Sequence, residues 1–250
     1  MTLRRVLVIA PHGAVGGAVA RELRRRGVRV TGAGRTPPEP GVVDAFHPVD
    51  LSAVDWPALY TAAAGDGLLD GIVYAAGVGT FGRTGAIPPE EARAAFDVNF
   101  WAVTDAARAA ADRWIRDATP GCFLAVLSIA GRRAVPFEAY YGASKAAAAR
   151  FLEALQLEVP SSIRLVAACP GLIRTPFRSR AAWRGMSEPL ASGGATPEET
   201  AAALCDLLEG SRRSRVIGWR ERAIDLADRF LPGLYDRLVL RPRVARETRS

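Results

Sequence analysis

Residues 6–10 are apolar without interruption, and the stretch that follows, PHGAVGGAVARELRRRG, reads as a glycine-bearing turn and then a helix over 15–26 that Gly27 stops. No other feature narrows the fold as much. A strand, a glycine turn and a helix in immediate succession set the first amides of the helix facing outward, where an anion can meet them. This is the context that a dinucleotide-binding fingerprint requires, although an ordinary βα turn fits the same residues about as well. The alternation continues along the chain. Apolar runs at 28–33, 71–76, 123–127, 162–168 and 215–218 read as strands, and helical patterns occupy 56–65 and 88–117. Thr196 reads as a helix N-cap with Pro197 and Glu199 behind it, opening a helix that Gly210 stops.

At 250 residues with 49% hydrophobic content, one α/β domain with a sizeable core is expected, and a second domain would leave too little for both. The net charge is +7, but 33 basic residues are interleaved with 26 acidic ones, which favours an Arg-rich surface over a nucleic-acid-binding stripe. Cys122, Cys169 and Cys205 are odd in number and lack C-x-x-C spacing, so neither a disulfide framework nor a structural metal site is expected. A reducing cytoplasm follows as the default. Arg4 and Arg5 precede an apolar run that Pro11 ends, too short for a signal-peptide core or a membrane span.

Tyr141 and Lys145 stand four residues apart in a segment that continues as an Ala-rich helix. They therefore lie about 40° apart on one face and about 6 Å apart along the axis. Ser128 ends the apolar run at 123–127, close enough in sequence for a loop to fold its hydroxyl beside the phenol. This trio suits hydride transfer coupled to proton transfer at a carbonyl or carbinol. A neighbouring ammonium is expected to lower the pKa of the phenol from about 10, while the serine donates a hydrogen bond to the reacting oxygen. Tyr141 then acts as acid in reduction and base in oxidation. A Tyr-x-x-x-Lys by itself also arises by chance on ordinary surfaces.

AYYGASK, with Ser128 upstream, resembles the signature of the short-chain dehydrogenase/reductase family, and the resemblance runs from Val6 to about Gly218. It implies a Rossmann-like, doubly wound α/β fold in a single domain, residues 1–218, with seven parallel strands in the order 3-2-1-4-5-6-7. It also implies cofactor binding by the first turn, at Ala10, His12, Gly13, Val15 and Gly16. Ala10 stands where the family has its first glycine, and Ala14 where many members have another. No acid lies between Val28 and Pro38, whereas Arg35 follows the second strand. An Arg there accommodates a 2′-phosphate, so NADP(H) is favoured, with His12 as a second contact, and NAD(H) remains open. AFHPVDL is similar to the third strand, placing Asp50 and Leu51 at the adenine. YAAG replaces the family's NNAG, which keeps the close approach of Ala75, Ala76 and Gly77 but loses two side-chain amides.

The resemblance further implies that Asn99 supports a proton relay through its carbonyl, although a mid-helix Asn often means local bending or nothing. CPGLIRTPF resembles the family's PGxxxTP segment. Pro170 and Gly171 would turn the chain, the Ile173 backbone would pair with the nicotinamide carboxamide, and Thr175 would bind carboxamide or phosphate. In the region where the family keeps a substrate lid, Phe137, Trp183, Met186 and Leu190 are candidate pocket residues, equally readable as core. The tail, residues 219–250, carries Ile224, Ala227, Phe230, Leu231, Leu234 and Leu238 at helical spacing among arginines. Packing over the substrate opening or against another subunit is the preferred reading, with contact to anionic lipid the alternative.

The reading is an NADP(H)-dependent reductase of ketones or aldehydes, or the reverse dehydrogenase, acting on a small molecule as a cytoplasmic homodimer or homotetramer. Neither metal nor nucleic acid is expected. Two alternatives are an epimerase or dehydratase of the same fold and a non-catalytic dinucleotide sensor.

Overall fold

The strand Gly121–Val126 (GCFLAV) is buried at all six residues, and the strand Arg5–Ile9 (RVLVI) at four of five. Strands apolar on both faces need helices on both sides, and that is the arrangement found. The computed structural model describes residues 3–188, 193–212, 214–231, 233, 236–242 and 244, with backbone only at 214, 215, 238 and 239. In chain order the elements are β1 (Arg5–Ile9), α1 (Ala14–Arg25), β2 (Arg29–Gly34), β3 (Ala45–Pro48), α2 (Trp56–Ala64), β4 (Gly71–Tyr74) and β5 (Phe81–Gly82). Then come α3 (Pro89–Phe96), a π turn (Asp97–Trp101), α4 (Ala102–Arg116), β6 (Gly121–Val126), α5 (Ala139–Glu158), β7 (Ile163–Pro170) and α6 (Phe177–Arg180). Last are β8 (Trp183–Arg184), α7 (Pro197–Glu209), β9 (Ser214–Ile217) and α8 (Trp219–Phe230).

Seven parallel strands form one sheet in the order β3-β2-β1-β4-β6-β7-β9. This is the doubly wound topology expected, in a single domain, and the order reverses beside β1, which opens a crevice at the carboxyl ends of β1 and β4. One core lies under α2, α4 and α5, where Tyr60, Trp114, Phe123 and Leu152 pack together. Its polar tips are satisfied, with the Tyr60 hydroxyl donating to the Ala106 carbonyl at 2.8 Å and the Trp114 indole to that of Leu69 at 2.7 Å. On the opposite face α1 and α7 bury Val19, Leu23, Leu204 and Leu208. Each such side chain contributes about 1.5–3 kcal/mol. Cys122, Cys169 and Cys205 are free and buried.

Two features differ from the sequence pattern. The helical stretch at 88–117 is broken by the π turn, whose extra residue per turn rotates Asn99 inward until it is fully buried. A second, two-stranded sheet pairs β5 with β8. Gly82 permits it, holding φ at +124° where a Cβ would fall 2.1 Å from the Arg184 carbonyl oxygen.

The tail helix also departs from expectation. The Asp225 carboxylate takes Arg132 in a bidentate pair at 2.9 and 3.2 Å, and the Arg222 guanidinium donates to the Val216 carbonyl at 3.1 Å. These contacts dock the acidic side of α8, leaving Ala227, Phe230 and Leu231 exposed rather than packed, with Ile224 half-buried. Leu234 and the Leu238 side chain lie outside the described residues.

Candidate active site

Where β6 ends, Ser128 caps a short 3-10 turn (Ile129–Gly131), its Oγ accepting from the Ala130 amide at 3.1 Å. The turn is pressed against the start of α5. A Cβ on Gly142 would lie 2.7 Å from the Ala130 carbonyl oxygen, and one on Gly131 would lie 2.8 Å from the Lys145 carbonyl carbon. Small residues on both sides of this contact let the Ser128 hydroxyl reach the Tyr141 phenol, to which it is hydrogen-bonded. One helical turn on, the Lys145 Nζ donates to the Val126 carbonyl at 3.3 Å and stands 5.9 Å from the Tyr141 ring centroid. Ser144 links the fourth residue. Its Oγ donates to the Tyr141 carbonyl at 2.7 Å and accepts from the Asn99 side-chain amide at 3.1 Å. Gly77 passes between, since a Cβ there would lie 3.2 Å from the Lys145 Nζ and 3.3 Å from the Asn99 Oδ1. Asn99, Ser128, Tyr141 and Lys145 are thus brought together at the carboxyl ends of β4 and β6.

The electrostatics of this cluster run against one expectation. Burial pushes the Tyr141 phenol well above its ordinary value. The hydrogen bond with Ser128 and the charge of Arg178 work the other way, and the charge of Glu138 adds to the rise. Lys145 is itself lowered to about 8 by burial. The net direction is therefore the reverse of the one expected, because the residues above screen both groups from water and burial outweighs the favourable contributions to the phenol. Phe81, Phe177 and Trp183 form that cover. Phe81 meets Tyr141 edge-on at 5.3 Å and lies tilted against Trp183 at 5.0 Å, and Phe177 lies 5.9 Å from Tyr141. Arg178 stacks on Phe81 and Trp183, with its guanidinium 5.1 and 4.8 Å from the two ring centroids, and pairs with the buried carboxylate of Glu138.

Of the residues expected to line the pocket, Trp183 joins this cover, and Phe137 is half-buried at its rim. The Phe137 carbonyl accepts from the Gly82 amide at 2.9 Å while its φ is +67°. Met186 is half-buried beyond β8, and Leu190 lies outside the described residues. Phe81, Glu138, Phe177 and Arg178 were not singled out by the sequence. Strands of two residues and a four-residue helix carry no periodicity by which to find them.

The crevice at β1 gathers the residues expected to hold a nucleotide. Gly13 is the N-cap of α1, no side chain caps the helix and its first turn has no acid, so its leading amides present an anion cradle. Ala10 adopts φ +62°, the left-handed conformation a glycine would take freely, and its carbonyl accepts from the Gly13 amide at 3.2 Å. Gly16 has no alternative, since a Cβ would come within 2.3 Å of that carbonyl oxygen. Val15 is half-buried behind the turn. Arg35 is exposed just past β2, and its charge reaches both His12 and Asp50. His12 is lowered first by burial and then by Arg35, while Asp50 is lowered by the backbone and hydroxyl of Ser52 and then by Arg35. Asp50 accepts from the Ser52 amide at 3.1 Å, and Leu51 packs on the core. Ala75 and Ala76 follow β4 with small side chains. On the far side, Pro170 ends β7, Gly171 lies against Glu221, and Ile173 bridges to Ala195. The Thr175 hydroxyl accepts from the Phe177 amide at 3.3 Å, two residues ahead of α6. An uncapped helix start and small residues at the strand ends fit a nicotinamide dinucleotide.

Comparison with known proteins identifies the family. A family model described as short chain dehydrogenase matches residues 4–184. The D-erythrulose reductase of Gallus gallus is 30% identical over 181 residues, covering 69% of this chain and 72% of that protein. The uncharacterized oxidoreductase YxnA of Bacillus subtilis is 30% identical over 193 residues, 72% of this chain, and the chain spans about half (52%) of its length. Among solved structures, a short chain dehydrogenase of Burkholderia cenocepacia J2315 in complex with NADP superposes with a TM-score of 0.78 at 22% identity. The match covers 95% of this chain and 98% of that one.

Proposed function

For a chain that belongs to the short-chain dehydrogenase/reductase family, we propose an NADP(H)-dependent oxidoreductase that interconverts a ketone or aldehyde with its alcohol and works chiefly as a reductase. The observation that carries this reading is the convergence of Asn99, Ser128, Tyr141 and Lys145 beside an uncapped helix start at the sheet's switch point. When bound, the nicotinamide cofactor supplies the hydride. The protein's own residues handle the proton and the oxygen.

Tyr141 is the proton donor. A phenol held above its ordinary value stays protonated at neutral pH, the state a reductase needs before each turnover. Ser128, hydrogen-bonded to that phenol, polarises the substrate carbonyl. Lys145 at about 8 still carries its proton at neutral pH, and it stabilises the phenolate once the proton has left. Asn99 fixes the wall on which Gly77 and Lys145 meet. Arg35 is the reader of the 2′-phosphate, with neutral His12 beside it as a hydrogen-bonding partner, and the NADP complex of the Burkholderia relative supports the choice of cofactor.

The test follows NADPH absorbance against a panel of ketones from small alicyclic to polycyclic aromatic. Tyr141→Phe is expected to lower turnover at least about 10²-fold, the scale of one positioned proton donor, with NADPH affinity nearly unchanged. Full turnover in that variant would remove Tyr141 from its role.

A further inference from the structure

Helix α8 sorts its charges by face. Glu221, Asp225 and Asp228 are half-buried on the inner side, where Asp225 holds Arg132 and Glu221 lies against Gly171 and Gly218. The outer side carries Trp219, Leu226 and Phe230, exposed by 76%, 53% and 72%. Steps of seven and four residues set these three in one line along the helix. The charged residues that flank this line without a docking contact to the sheet are Arg220 and Arg229, both cations, and Arg220 stacks over Trp219 at 5.5 Å.

That combination limits what the face can meet. A second copy related by a two-fold axis would set these arginines against their own equivalents, a like-charge contact that opposes association. An acidic planar surface suits both components, since the ring and leucine line can enter the boundary between headgroups and acyl chains while the flanking guanidiniums meet phosphates. No helix among the described residues is long and apolar enough to cross a membrane, so this mode of contact lies in the plane of the surface. We infer that the outer face of α8 docks the protein onto the surface of an anionic phospholipid bilayer. The Arg132–Asp225 pair ties α8 to the loop that follows Ser128, so the docked surface lies beside the candidate active site.

Flotation of the full chain with vesicles tests this. Binding is expected with phosphatidylcholine vesicles that contain phosphatidylglycerol, little with phosphatidylcholine alone, and a loss of binding as salt is raised. Arg220→Gln with Arg229→Gln should weaken partitioning roughly thirtyfold, at about a fivefold factor for each cation. Leu226→Ser with Phe230→Ser should abolish it. All four positions are exposed, so NADPH binding by the variants reports that the fold is kept. Failure of the wild-type chain to float with anionic vesicles overturns the inference, as does undiminished binding by the variants. A dimer in sedimentation that Phe230→Ser dissociates would assign the face to a second copy instead.

Discussion

Asn99 grips the backbone of Val78 in both directions, its Nδ2 donating to the carbonyl and its Oδ1 accepting from the amide, each at 2.9 Å. The segment Tyr74–Ala75–Ala76–Gly77 has no side-chain amide of its own to stiffen the chain beyond β4. Its rigidity comes instead from across the crevice, from a residue that the π turn has rotated inward. The same Nδ2 also reaches the Ser144 hydroxyl, so a single side chain couples the end of β4 to the helix that carries Tyr141 and Lys145.

Asn99→Leu should therefore destabilise the protein more than an ordinary polar-to-apolar change in a core. It removes two hydrogen bonds to the part-buried Val78 backbone and one to the Ser144 hydroxyl, at about 0.5–1.5 kcal/mol each. We expect a loss of about 2–4 kcal/mol in urea unfolding and faster hydrogen exchange at the Val78 amide. Asn99→Asp keeps the acceptor for that amide and should protect it better than Leu does. Equal exchange in the two variants would show that the clamp does not govern this segment.

Ala10 is a second site with a directional outcome. At φ +62° an alanine carries a left-handed penalty of about 1–2 kcal/mol that a glycine escapes, offset in part by the greater freedom of glycine in the unfolded chain. Ala10→Gly should raise stability by about 0.5–1 kcal/mol and raise the melting temperature with it. A fall in melting temperature would mean that the Ala10 methyl group makes contacts worth more than the strain.

The cover over Tyr141 depends on Glu138. This buried carboxylate neutralises Arg178, whose guanidinium lies against the rings of both Phe81 and Trp183 and whose Nε is 3.8 Å from Glu188. Glu138→Gln should cost about 1–3 kcal/mol and increase exchange over residues 177–184, since an ion left without its close partner carries its desolvation uncompensated. The Tyr141 pKa should fall, because the burial and the Glu138 charge that both raise it are weakened together. Ultraviolet difference titration against a Tyr141→Phe background would register the change. An unmoved phenol would break the link between this ion pair and the cover.

How much of this was legible in the sequence follows from the range of each interaction. Tyr141 and Lys145 sit on one helix, so their spacing fixes their common face, and Ser128 is separated from them by one short loop. Most strands were legible as apolar runs, but β3 (AFHP) carries none, and the seven-stranded order came from the family resemblance rather than from the runs themselves. The inward turn of Asn99 was not legible, since one residue inserted into a helix leaves the surrounding pattern almost unaltered. Nor was the cover, because Phe81 and Trp183 meet through two-residue strands distant in sequence. The pKa of Tyr141 depends on that cover, which is why a reading from Lys145 alone gave the opposite direction. In α8 the amphipathic pattern was visible, but its orientation was set by Arg132, 93 residues from Asp225.

Lys145 offers the sharpest separation of stability from function. Its fall from an ordinary 10.5 to about 8 reflects the cost of burying an ammonium, about 3 kcal/mol at 1.36 kcal/mol per pKa unit. At pH 7 the lysine is protonated in both folded and unfolded chains, so the folded state bears that cost in full. Lys145→Met, similar in length and uncharged, should stabilise the protein at pH 7 by up to about 3 kcal/mol while removing turnover. Above pH 8 the folded lysine loses its proton before the unfolded one does, so wild-type stability rises relative to the variant until about pH 10.5. Urea midpoints for both proteins across that range give the comparison. A gap that stays constant with pH, or a Lys145→Met variant less stable than wild type at pH 7, would show that Lys145 is held by interactions stronger than its desolvation.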